Sequence, residues 1–197
     1  MSHPGISNLG NLPSIIKTRT FVIQKYIEKP LLIHKRKFDI RAWVLVTHEM
    51  KGFLFKEGYL RMSSYEYKTD VNSREVHLTN NAVQKFTENY GHLEDGNQLS
   101  YNDFQKYLDE NYPDKGIKVR ESLYAKMKEF VNLTLLSVRK KLNPDYKKHC
   151  FEIFGYDFMV DTEFNVWLIE VNTNPCLEES SQLLKMLLPR MLGIVVM

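Results

Sequence analysis

The tightest constraint on this chain is a pair of apolar runs near its C-terminus, FGYDFMV (residues 154–160) and VWLIEVN (166–172), flanking the polar stretch DTEFN. Two such runs around a polar turn specify a β-hairpin. With the turn centred near Glu163 and Phe164, Asp157 falls opposite Glu170. Asn172 shares that face one pleat further on, because side chains alternate along a strand. Like charges directly opposite destabilise a strand pair, and unpartnered carboxylates among apolar neighbours are costly. A hard cation removes both problems. Magnesium takes oxygen ligands, usually one or two carboxylates plus substrate phosphates, and Asp157, Glu170 and the Asn172 carbonyl oxygen provide that set. No His/Cys set accompanies them, so zinc is not expected. The hairpin alone leaves a second reading open, in which the carboxylates face water or pair with Arg and Lys. A one-residue slip in register would undo the arrangement.

The rest of the chain alternates strands and helices. Residues 2–20 hold Gly5, Gly10, Pro4 and Pro13 with little periodicity and read as a tail. Residues 21–27 (FVIQKYI) form a β-rich run, 38–47 a second strand, and 52–59 a third that continues through 60–64 into a loop. Residues 77–84 have no clear assignment, and 90–100 read as a Gly/Asn/Asp-rich loop. Phe104, Tyr107 and Leu108 mark a helix over 101–112. A long helix is expected over 120–141, with Leu123, Met127, Phe130, Val131, Thr134, Leu135 and Val138 on one stripe, ended by Asn143 and Pro144. A last amphipathic helix covers 180–192. This mixture with a terminal hairpin indicates an α+β fold.

Bulk properties narrow the classes. The 197 residues suffice for one domain with a core, and 43% hydrophobic with 26% charged residues reads as soluble and globular. Cys150 and Cys176 make neither a disulfide framework nor a metal cluster. No apolar run approaches the ~20 residues of a membrane span, and residues 1–10 lack a secretory apolar core. A cytoplasmic location is the default expectation, with no membrane partner. The net charge of +3, with Lys29, His34, Lys35, Arg36 and Lys37 close together, suits an anionic partner or, equally plainly, a solvated loop. No aromatic-interleaved basic stripe points to nucleic acid.

Several short motifs are weak singly. In KFDIR, Asp39 and Arg41 share one strand face; Arg can grip phosphate or carboxylate, Asp a ribose hydroxyl, and the plain alternative is a cross-strand ion pair. Arg61 ends GYLR and is ordinary alone. His77, Thr79 and Asn80 of HLTNN can bind oxyanions or cap a helix. In QKYI the main chain at Gln24 and Lys25 could meet an adenine edge while Ile27 packs on the ring, with Lys25 and Lys37 as point charges for phosphates.

Taken in order, QKYIEKPLLI, KFDIRAWVLVT, GYLRMSS, HLTNNAVQK, FGYDFMVD and WLIEVNTNP resemble the tubulin–tyrosine ligase-like family of ATP-grasp ligases, over residues 21–192. The resemblance implies the central and C-terminal portion of an ATP-grasp fold, an antiparallel sheet with flanking helices. It implies a ligase that uses ATP and Mg2+ to phosphorylate a carboxylate of tubulin or a related protein. The amino group of tyrosine, glutamate or glycine then attacks the acyl phosphate. On matching positions it implies Gln24, Lys25 and Ile27 at the adenine, Lys37 and Asp39 at the nucleotide, and Arg41 and Arg61 at phosphate or acyl phosphate. It further implies His77, Thr79 and Asn80 at the γ-phosphate and acceptor, and Asp157, Glu170 and Asn172 at magnesium.

Two departures qualify this. A full member has an N-terminal domain and a lysine-bearing phosphate loop upstream, where this chain has residues 2–20, with Gly5 and Ile6 as a remnant of that loop's end. The expectation is a catalytic region over 21–197, incomplete at its N-terminus. Thr173 and Asn174 also stand where the tyrosine ligase itself has small residues. The expected partners are the acidic C-terminal tail of tubulin, or microtubules, and a free amino acid, in a cytoskeletal or ciliary setting. The competing expectation is a non-catalytic nucleotide- or microtubule-binding module of the same fold.

Overall fold

The structure, a computed structural model, describes residues 24–70 and 73–196. Its scaffold is an antiparallel sheet built on one long central strand, β2 (Arg36–Thr47), which follows the short β1 (Leu32–Ile33). β2 alternates strictly. Phe38, Ile40, Ala42, Val44 and Val46 point to one face, and Lys37, Asp39, Arg41 and Trp43 to the other, all buried. β3 (Gly52–Glu66) flanks β2 on one side and carries β4 (Gln98–Ser100); β5 (Phe151–Val160) flanks it on the other and carries β6 (Val166–Asn172). The order β4-β3-β2-β5-β6, with β1 paired to the start of β2, gives six strands among the described residues. The fold is α+β, as expected.

The apolar face is covered by two helices. α3 (Tyr101–Asn111) starts where the Ser100 hydroxyl accepts from the Asp103 amide and donates to the Asp103 carboxylate. It buries Tyr101, Phe104 and Leu108, one helical stripe. α4 (Tyr124–Val138) buries Met127, Val131 and Leu135 at four-residue spacing. With Phe154, Tyr156 and Phe158 of β5 these form one continuous core. Burying each such large side chain is worth roughly 1.5–3 kcal/mol relative to exposure. The opposite face is shared. At one end α5 (Gln182–Val196) lays Leu184, Leu187, Leu188 and Met191 on Trp43 and Tyr59. At the other end the charged residues of β2 gather with α1 (Arg74–His77) and α2 (Asn81–Gln84).

The boundaries differ from expectation in instructive places. Of the predicted strand over 21–27, residues 21–23 lie outside the described residues, and 24–27 have no regular structure. The tail expected over 1–20 also lies outside them. Residues 60–64 are strand, not loop, because Leu60 and Met62 belong to the core while Arg61 pairs across the sheet. The segment 77–84 holds the last residue of α1 and the whole of α2, and 98–100 a strand hidden in what read as loop. The long helix begins with a π-turn at Val119–Leu123 and stops at Val138, short of residue 141.

Candidate active site

Register brings the charged residues together. Asp39 faces Arg61 across β2 and β3, Arg41 faces Asp157 across β2 and β5, and Asp157 faces Glu170 across β5 and β6. The Asp157–Glu170 pairing is the expected one, but a bulge produces it. Val160 pairs with Val166 and Phe158 with Leu168, a turn centred on Glu163; the register then shifts between Asp157 and Phe158. The bulge leaves Ile169 without an opposite partner and turns Glu170 onto the charged face.

The four central side chains form a balanced network. Arg61 grips Asp39 through Nε and a terminal nitrogen at 2.7 and 2.8 Å. That terminal nitrogen also lies 2.8 Å from Asp157 Oδ2. Arg41 donates to both Asp157 oxygens at 2.5 and 3.1 Å. Thr79 donates its hydroxyl to Asp39. All four are under a tenth exposed. Two aspartates against two guanidiniums let the charges stay buried. Burial raises the Asp157 pKa, yet Arg61 and Arg41 outweigh it and hold the carboxyl below its ordinary range. Burial likewise works against Arg61, and Asp39 with Asp157 more than restores it, so its pKa is raised. Both plain readings of KFDIR and of the hairpin, cross-strand ion pairs, therefore hold for Asp39, Arg41, Arg61 and Asp157. Each guanidinium nevertheless keeps a terminal nitrogen outside these bonds.

At the sheet edge Glu170 is exposed, and Asn172 joins it to the network. The Asn172 amide donates to Asp157 Oδ2 at 3.3 Å and to Glu170 Oε1 at 3.2 Å. Burial and then the proton that Glu170 can share with Asp157 push the Glu170 pKa up. A cation between the two facing carboxylates would offset the repulsion of like charges. An asparagine amide presents oxygen or nitrogen according to its turn. Asp157, Glu170 and Asn172 therefore fit magnesium as a partial, hard-oxygen set. Among the described residues no group of three or more His, Cys, Asp or Glu that could hold a metal ion stands together.

Gly155 completes the site by being small. A Cβ there would stand 2.8 Å from the Pro175 Cβ and 3.3 Å from a terminal nitrogen of Arg41. A side chain at residue 155 would therefore crowd both the segment after Asn172 and Arg41.

A second cluster adjoins along β2. The Lys37 ammonium donates to the Tyr26 hydroxyl at 3.1 Å and to the His77 carbonyl at 2.9 Å. The Tyr26 hydroxyl also meets His77 Nδ1 at 2.8 Å. Asn80 sits at the start of α2 but makes no side-chain cap bond, and its Oδ1 is buried without a partner among the described residues. Capping is therefore not its role here. A buried acceptor of this kind calls for a donor. The structure thus assembles seven of the expected residues in one network (Asp39, Arg41, Arg61, Thr79, Asp157, Glu170, Asn172), and Lys37 with His77 in the adjoining cluster. Gln24 and Lys25 are exposed and Ile27 is half-buried on the segment leading in. Tyr26, Tyr67 and Gly155 carry no expected role from the sequence, although Tyr26 stands inside QKYI and Gly155 inside FGYDFMV.

Burial lowers the Lys37 pKa from 10.5 to about 8, with Asp39 opposing the shift. An unfolded Lys37 keeps its proton up to its ordinary pKa. Between about pH 8 and 10 the unfolded chain therefore binds more protons than the folded one, and stability rises with pH. Above that window the buried tyrosines, whose pKa values burial raises, act in the opposite sense. Lys37→Met is expected to flatten the rise, as read from urea midpoints across the window.

These features define an α+β protein whose sheet has an apolar face and a face centred on buried paired charges beside a hard-oxygen set. The model of the tubulin-tyrosine ligase family matches residues 3–197, and the chain belongs to that family. Tubulin glycylase 3B of Tetrahymena thermophila is 38% identical over 180 residues, covering 89% of this chain and 15% of the relative. Probable tubulin polyglutamylase TTLL9 of Mus musculus is 38% identical over 170 residues, 85% of this chain and 36% of the relative. Tubulin glycylase 3D of Tetrahymena thermophila is 37% identical over 178 residues, 87% and 17% respectively. The chain thus spans about a third or less of the length of these curated relatives.

Proposed function

We propose that this chain is the nucleotide- and magnesium-binding part of an ATP-grasp ligase. The enzyme joins an amino acid to a carboxylate of tubulin or a related protein through an acyl phosphate. The observation that carries the reading is the shared face of β2, β3, β5 and β6. It places two guanidiniums with spare N–H groups beside Asp157, Glu170 and Asn172. Residues 21–197 form the catalytic region on this reading, and 1–20 a tail or the remnant of a phosphate loop. The partner relatives suggest is tubulin, which sets the protein in a cytoskeletal or ciliary context.

The residues divide the work. Asp157, Glu170 and Asn172 would hold magnesium, which would supply neutralisation of charge on a phosphoryl group in transfer. Arg41 and Arg61 are held rigid by the two aspartates, so their remaining N–H groups are aimed before substrate arrives. Such preorganised donors are effective because nothing reorients during reaction. Lys37 adds a positive charge on the phosphate side, and Asp39 lies near the ribose. Thr79 fixes Asp39, and the buried Asn80 oxygen offers an acceptor for an incoming ammonium or hydroxyl. Of the three candidate amino acids, the relatives' names favour glycine and glutamate over tyrosine.

The test is transfer. Tubulin incubated with this protein, Mg–ATP and one amino acid at a time is expected to gain the mass of a single kind of residue. No gain with tyrosine, glutamate or glycine, beside intact ATP binding, would leave the non-catalytic module as the function.

A further inference from the structure

Resting on the nucleotide reading above, we infer that Tyr26 is a positioning residue for Lys37. Its hydroxyl, carried on the adenine-side segment, fixes the ammonium that meets the phosphates of a nucleoside triphosphate.

Lys37 is 4% exposed. A buried ammonium stays charged only where acceptors and aromatic faces replace water. Here the Tyr26 hydroxyl and the His77 carbonyl accept from it, and its Nζ lies 4.8 Å from the Tyr26 ring centroid and 6.0 Å from that of Tyr67. An ammonium has three N–H groups. The two acceptors among the described residues leave one for a ligand oxygen, and they fix its direction. The cage is itself braced. The Tyr26 and Tyr67 rings each meet the His77 imidazole edge-on, both at 5.7 Å. The Tyr67 hydroxyl donates to the Glu28 carbonyl at 3.2 Å, and its amide to the Lys35 carbonyl at 2.8 Å. The end of β3, the end of α1 and the segment around residue 26 thus meet at one ammonium.

Tyr26 lies between Lys25 and Ile27, the positions proposed to border the adenine. A base seated there orders the segment that carries the Tyr26 hydroxyl. Base binding and phosphate binding are thereby linked through one side chain. A ligand with the base and no phosphates has no use for the link.

The experiment compares ATP with adenosine on the native chain, Tyr26→Phe, Lys37→Met and the double variant. Tyr26→Phe keeps the ring and removes the acceptor. ATP affinity is expected to fall roughly tenfold, the order of a hydrogen bond to a charged group. Adenosine affinity should stay within about twofold, which also serves as the folding control. In the Lys37→Met background the same change should alter ATP affinity by less than about twofold, because coupled residues are not additive. Equal losses for both ligands, or a full effect without Lys37, would overturn the inference and assign Tyr26 to the base or to the fold. Unchanged ATP affinity in Tyr26→Phe would overturn it while leaving the nucleotide site standing. A native chain that binds neither ligand would remove the nucleotide site and this inference together.

Discussion

Asp157→Asn is expected to lower folding stability by about 3–5 kcal/mol, the range for removing one partner of a buried ion pair. Asp157 is 2% exposed and takes bonds from Arg41 and Arg61. Asparagine keeps the shape but not the charge, so Arg41 loses its counter-ion and Arg61 keeps Asp39 alone. The loss is large against the 5–15 kcal/mol of a typical domain. In urea the midpoint should fall by about 1–3 M at an ordinary slope. A shift under about 0.5 M would mean that the network contributes little to folding. Acid should act in the same direction. The Asp157 pKa is held below its ordinary value, so its stabilisation is complete above the normal aspartate range and is lost as pH falls through the folded pKa.

Glu170→Gln is expected to do the opposite to the fold and more to the ligand. Glu170 is exposed and faces Asp157; burial first, and then its contact with Asp157, raise its pKa. Replacing it relieves repulsion between like charges, so apo stability should hold or rise slightly. The hard-oxygen set, however, loses one of its two carboxylates. Magnesium rarely relies on more than one or two, so the thermal shift that Mg–ATP produces in the native chain should vanish. The contrast matters. Two residues that face each other across one bulge are expected to separate cleanly, Asp157 serving both fold and site and Glu170 the site alone. An undiminished Mg–ATP shift in Glu170→Gln would sink the metal assignment.

The two variants also show how far the sequence could be read. Alternation along residues 38–47 and 154–160 fixes which side chains share a face, so the charged face was legible strand by strand. The Asp157–Glu170 pairing was legible too, but for an incomplete reason. A plain hairpin centred on Glu163 would set Asp157 against Ile169; the bulge that corrects this has no signature in residues 166–172. Which arginine meets which aspartate depends on the order of β3, β2 and β5, and that is a property of the whole sheet. Arg61 looked like a surface residue at a strand end because residues 60–64 read as loop. Leu60 and Met62 are buried in the core that α3 shares, and Arg61 by Asp39 and Asp157, all distant in sequence. The Lys37 cage was out of reach for the same reason: Tyr26, Tyr67 and His77 lie on three segments, and only the fold brings them to one ammonium. Motif order proved more informative than any of these local patterns, since the family match covers residues 3–197.

The most direct test of the account is a calorimetric titration of ATP into the native chain, once with Mg2+ and once with a chelator. Binding is expected to depend on magnesium and to weaken at least tenfold when the metal is withheld. Equal affinity in the two titrations, or no heat in either, would contradict it. The chain would remain a member of its family, but the charged face of its sheet would not be a magnesium–nucleotide site.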